Sequence, residues 1–111
     1  MPKFFVVGDV TVDLMYFVKE LPDAGGEVTV TRAVSEPGGA GGTIATVLAR
    51  LGHEVMIATC IGEGPFAQLA LKNVIESGVS LSQVQRDQDR QTGSVTLLVT
   101  PDAQRTMISS T

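Results

Sequence analysis

The sequence predicts an α/β fold built on a mainly parallel sheet, and three observations carry that reading. Short apolar runs alternate with stretches of helical periodicity. Aromatic residues make up 5% of the chain and Trp is absent, so Val, Ile, Leu and Ala must fill the core, as in buried parallel strands. Gly- and Pro-containing turns separate the segments.

Taken in order, Lys3 to Gly8 reads as a buried strand, an apolar run stopped by Gly8-Asp9. Thr11 to Lys19 is mixed and reads as irregular, and Pro22, Asp23, Gly25 and Gly26 mark a turn. Glu27 to Ser35 alternates and is rich in β-branched residues, which predicts a strand with one wetter face. The glycine-rich run Gly38 to Gly42 then leads into a helix over Thr43 to Leu51. There Ile44, Val47, Leu48 and Leu51 follow the i, i+3, i+4, i+7 rule, and Gly52 ends the helix. Glu54 to Ile61 is a second buried strand, closed by the turn Gly62-Glu63-Gly64-Pro65. A second helix runs from Pro65 to Ser77, with Gly78 after it. Leu81 to Arg90 is polar and reads as connective. Ser94 to Thr100 and Arg105 to Ser110 form a hairpin through Pro101-Asp102-Ala103-Gln104. The alternating elements give a three-layer core. The Glu27 to Ser35 strand and the final hairpin fall outside that alternation and form a separate small sheet.

The chain has 111 residues, enough for one core, with 43% hydrophobic and 18% charged residues, which is a globular composition. A net charge of −4 without a basic run argues against nucleic-acid binding. No apolar stretch is long enough to span a bilayer, and the N-terminus lacks the apolar segment of a signal peptide. The single cysteine, Cys60, cannot form an internal disulfide, so a cytoplasmic protein is expected. Cys60 lies in an apolar strand and reads as a buried thiol. His53 follows the helix-ending Gly52 and has no nucleophile at a known spacing, and no residue pattern indicates a metal site. Arg86, Asp87, Asp89 and Arg90 read as a solvated face.

The run Gly38 to Gly42 stands directly before a helix, where free N–H groups and the positive end of the dipole suit hydroxyl oxygens or an anion. A tight strand-to-helix turn without a ligand explains the same composition. A nucleotide motif does not fit: no Lys follows Gly42, and Ile44 stands where a dinucleotide fingerprint needs its third glycine.

Several ordered motifs together resemble the ribokinase-like (PfkB) carbohydrate kinases. They are Val6 to Leu14 with Asp13 beyond the first strand, Leu21-Pro22-Asp23-Ala24-Gly25-Gly26-Glu27, and Pro37 to Ala45 with Ala49-Arg50-Leu51-Gly52. Cys60-Ile61-Gly62-Glu63-Gly64 and Thr92-Gly93 complete the set. The resemblance covers essentially the whole chain. It implies a ribokinase-like α/β/α core, truncated, with a small β lid formed by strands at about 27–35 and 94–110. It further implies substrate contacts at Asp13, Gly38, Gly39, Thr43 and Leu97, with the Asp13 carboxylate accepting from two neighbouring sugar hydroxyls. Asp9 reads as a turn residue. The family usually carries Asn where Thr43 stands, and Thr is shorter.

The family's catalytic Gly-Ala-Gly-Asp segment, ATP loops and acidic magnesium motif are expected beyond Thr111. The resemblance therefore implies the sugar-binding part of an ATP- and Mg2+-dependent kinase, inactive by itself, with a homodimer formed through the lid strands. A nucleoside kinase of the same fold and a non-catalytic binding module are the alternatives.

Overall fold

The computed structural model describes residues 2–110. The strands are β1 (Lys3–Val7), β2 (Thr11–Phe17), β3 (Arg32–Gly38), β4 (Glu54–Glu63), β5 (Ser80–Gln91), β6 (Ser94–Val99) and β7 (Arg105–Ser110); the helices are α1 (Ala40–Arg50) and α2 (Ala67–Glu76). They form two sheets. One is parallel with order β1-β4-β5, and the other has order β3-β2-β6-β7. β2 and β3 are inserted between β1 and α1, so the second sheet grows from the carboxyl ends of the first.

Three segments differ from the sequence expectation. Thr11–Phe17 is a strand rather than irregular chain, with β3 antiparallel on one side and β6 parallel on the other. The strand expected over Glu27 to Ser35 lies at Arg32–Gly38, because its pairing with β2 starts at Arg32 opposite Phe17. The polar stretch expected to be connective is β5. It is an edge strand whose Leu81 and Val84 pack on the core while most other residues stay wet, which hides its period.

The core is built from Val55, Ile57 and Ile61 of β4, Val10, Val12 and Val79, and Ala45, Ala70, Leu71 and Val74 of the helices. The helix predicted from Ile44, Val47, Leu48 and Leu51 is present, but with a different inward face. Gly41, Gly42, Ala45 and Thr46 are buried, whereas Ile44, Val47 and Leu51 are exposed. Small residues let α1 approach the strands closely; Leu48 packs against the core, and Ile44, Val47 and Leu51 face out. Both helices end the same way, in a Schellman pattern with glycine at positive φ. Gly52 (φ 94°) is spanned by His53 N–H donating to Leu48 O at 3.2 Å, and Gly78 (φ 81°) by Val79 N–H donating to Val74 O at 3.0 Å.

The two helices touch each other and cover one face of the parallel sheet. Two of the three expected layers are therefore present among the described residues. On the opposite face Phe5 and Val7 are 62% and 80% exposed. β1 is also an edge strand, with its outer N–H and C=O groups unpaired. The 111-residue chain by itself is expected to self-associate through this edge and face. Sedimentation at high concentration checks this, and a monomer with full cooperative unfolding contradicts it.

Candidate functional site

Asp13 lies near the start of β2, opposite Glu36 of β3 and Val95 of β6. Its half-buried carboxylate accepts no hydrogen bond and forms no ion pair among the described residues. It rests against the end of β3, where a Cβ on Gly38 would stand 2.5 Å from Asp13 Oδ1 and 2.7 Å from Oδ2. Glycine at 38 therefore leaves room for the carboxylate in this position: a side chain there would displace it. The result is a carboxylate with free lone pairs beside bare backbone, suited to accept from hydroxyl groups.

Gly39 follows at φ 90°, and a Cβ there would meet Asp9 O at 2.7 Å. Gly41 packs directly on Gly8, with its would-be Cβ 2.7 Å from Gly8 C and 2.8 Å from Gly8 Cα. The glycine run is thus a close backbone-on-backbone junction between the carboxyl end of β1 and the start of α1.

Three of the free N–H groups expected at this helix start have partners. Ala40 N–H donates to Asp9 Oδ1 at 3.0 Å and Gly41 N–H to the same oxygen at 3.5 Å. Gly42 N–H donates to Asp9 O at 3.0 Å, and Thr43 N–H to Gly39 O at 3.0 Å is the first bond of the helix itself. Asp9, expected to be a turn residue, caps α1 from 31 positions away. An acidic residue directly after the strand-ending Gly8 was the available signal, but its partner was too distant in sequence to read.

Thr43 is the fourth residue of α1 rather than its cap, and its side chain makes no capping hydrogen bond. It is exposed on the rim of a groove of about 170 Å³ between the helices, which Pro37, Gly38 and Gly42 also line. Gly38 links this groove to Asp13. Leu97 pairs with Met15, so it shares the Asp13 face of the sheet two positions further along. It is 5% exposed and offers little surface for contact. Asp13, Gly38, Gly39 and Thr43 thus gather around one corner, with Leu97 set apart further along the same face.

A second cleft, of about 180 Å³, opens at the carboxyl ends of β1 and β4, lined by Asp9, Thr11, Cys60, Asp87, Arg90 and Gly93 among others. Cys60 is exposed, not buried, because strand alternation turns it toward the face without helices. Arg90 Nε lies 3.7 Å from Asp87 Oδ2. Thr92, which the sequence left without a role, is 4% exposed and clasps Gly62: its hydroxyl accepts from Gly62 N–H and donates to Gly62 O, both at 3.1 Å. His53 packs edge-on against Phe4, with ring centroids 5.0 Å apart.

Residues 1–111 match the family model described as pfkB family carbohydrate kinase. Among curated proteins the chain is similar to a fructokinase from Escherichia coli, 31% identical over 93 residues, covering 84% of this chain and 27% of that protein. It is also similar to a ribokinase from Lactococcus lactis, 32% identical over 85 residues, covering 76% and 28%. Among solved structures, Arabidopsis thaliana ribokinase complexed with ribose and ATP superposes with a TM-score of 0.90 at 23% identity, over 98% of this chain and 35% of that one. A nucleoside kinase from Methanocaldococcus jannaschii reaches 0.87 at 18% identity, over 99% and 37%. The chain therefore spans just over a quarter of the length of the two curated relatives.

Proposed function

The chain belongs to the pfkB family of carbohydrate kinases, and from that premise we propose that it is the sugar-recognising part of an ATP-dependent kinase that phosphorylates a sugar hydroxyl. The observation that carries this reading is the unpartnered Asp13 carboxylate lying against Gly38. It accepts hydrogen bonds from neighbouring hydroxyls of the sugar and fixes the sugar's orientation, and phosphoryl transfer depends mainly on positioning and electrostatic stabilisation. The β3-β2-β6-β7 sheet acts as the lid that closes over the sugar and excludes water. Every residue of its edge strand β7 is exposed, which supports pairing of lids between two copies.

ATP and Mg2+ are assigned to the remainder of a full-length protein, as membership of the family implies. Among the described residues no helix is long and apolar enough to cross a membrane. A nucleoside substrate calls for a stacking aromatic near Asp13. Tyr16 falls on the opposite face of β2 by alternation, Phe66 packs against the core, and Phe17, on the Asp13 face four positions along, has the Arg32 guanidinium 5.3 Å over its ring, so the sugar reading is favoured.

The full-length protein, given ATP, Mg2+ and a panel of pentoses and hexoses, is expected to form a sugar phosphate, while the 111-residue chain stays at background. Absence of product across the panel, or turnover by the short chain, overturns the reading. Thr43→Val separates capping from ligand contact. Stability is expected to change by less than about 0.5 kcal/mol, as at an exposed helix position. Sugar affinity is expected to fall about three- to tenfold, the loss of one neutral hydrogen bond. Denaturant titration and calorimetry check the pair; lost stability with unchanged affinity assigns Thr43 to the helix alone.

A further inference from the structure

We propose that the groove between α1 and α2 binds a phosphate group, held by the Arg50 guanidinium, the Asn73 amide and the Thr46 hydroxyl. The groove measures about 170 Å³, and its chemistry stands apart from the sugar-binding reading above. On α1, Thr43, Thr46 and Arg50 lie at i, i+3 and i+7, so they share one helix face. Asn73 lines the same groove from α2, together with the apolar Val47 and Val74.

The protein leaves the polar groups of this groove without partners. Thr46 is 6% exposed, and its Oγ1 is buried with no hydrogen bond. A hydroxyl inside a helix often donates back to the carbonyl four residues earlier, and Thr46 does not. Such a group costs stability until something meets it. The Thr43 hydroxyl and the Asn73 side-chain amide have no hydrogen bond among the described residues either. Arg50 Nε donates to Ser77 Oγ at 3.2 Å, which ties the guanidinium to α2 and leaves its terminal nitrogens free, with no carboxylate at ion-pair distance. Donors thus converge from two helices. A phosphate group presents three acceptor oxygens to them, against two from a carboxylate. No carboxylate lines the groove: Glu36 and Glu76 are exposed and outside it, and Asp13 stands behind Gly38 at the other end of α1. α1 ends at Arg50 and α2 at Glu76, so both dipoles oppose an anion there and the guanidinium must supply the attraction.

Inorganic phosphate is the probe. It is titrated into 15N-labelled full-length protein, with ionic strength held constant by chloride, while the Asn73 side-chain amide and Arg50 Nε–H signals are followed. Both are expected to shift saturably. Arg50→Gln is expected to weaken binding at least about tenfold, the loss of a charge-assisted contact. Thr46→Val is expected to weaken it about three- to tenfold, the loss of one neutral hydrogen bond, while its urea midpoint without phosphate stays the same or rises because no protein partner is lost. Lys72→Gln removes an exposed cation of α2 outside the groove and is expected to bind as the wild type does. Glycerol phosphate, a phosphomonoester, is titrated in the same way. Binding tighter than that of inorganic phosphate assigns the site to a phosphate carried by a metabolite, and weaker binding assigns it to free phosphate; the site stands in either case. A shift that grows without saturating, signals that stay fixed, equal weakening by Lys72→Gln and Arg50→Gln, or wild-type affinity in a folded Arg50→Gln or Thr46→Val overturns the proposal. The wild-type titration decides alone if a variant fails to fold.

Discussion

Asp13→Ala in the full-length protein is expected to lower kcat/KM for the sugar by about 100-fold, equivalent to roughly 2–4 kcal/mol of transition-state binding. The size follows from the environment of the carboxylate. It is half-buried, lies where a Cβ of residue 38 would collide with it, and has no protein partner among the described residues. A turn-capping Asp would be engaged with nearby N–H groups and this one is not, so its removal should cost binding rather than folding. Steady-state kinetics and thermal melting on the same variant separate the two. A change in kcat/KM below about threefold, on a scale where tenfold is 1.4 kcal/mol, would reduce Asp13 to a structural residue.

Gly41→Ala carries the second large effect, this time on stability. Alanine in a helix interior ordinarily gains about 1 kcal/mol over glycine. At position 41 the added Cβ would meet Gly8 C at 2.7 Å, Gly8 Cα at 2.8 Å and Asp9 N at 2.9 Å, all backbone atoms that cannot rotate away. Relief requires moving α1 off the end of β1, which breaks the hydrogen bonds to Asp9. The net cost is expected to exceed about 2 kcal/mol. Gly42→Ala is the control, because its nearest neighbour is a single side-chain atom, Val10 Cγ1 at 3.0 Å, rather than backbone. Urea unfolding of both variants tests the contrast. A Gly41→Ala protein as stable as the Gly42→Ala protein would mean that the close junction is not kept in solution.

These two residues also mark what was legible in the sequence. The motif pattern around Asp13 and the glycine run identified the family and the corner of the fold, because those features depend on local spacing. The helices were legible from their 3.6-residue period and the glycines at positions 52 and 78. The inward face of α1 was not. Hydrophobicity favours Ile44 and Val47 inside, whereas close packing on the strands selects Gly41, Gly42 and Ala45, and packing distance leaves no mark on a periodicity. β2 was missed because Asp13 interrupts its apolar run, although its β-branched and aromatic residues are ordinary strand formers. The Asp9 cap and the Thr92 clasp join residues about 30 positions apart, so only the folded chain displays them.

The most direct test of the account is where a sugar binds. A neutral pentose or hexose that the full-length protein phosphorylates is titrated into 15N-labelled protein, and the amides of Asp13, Gly38 and Gly39 are followed with those of the rest of the chain. The account predicts saturable shifts centred on Asp13, Gly38 and Gly39, and their loss in Asp13→Ala. Saturable sugar binding that leaves these three amides unmoved would contradict it.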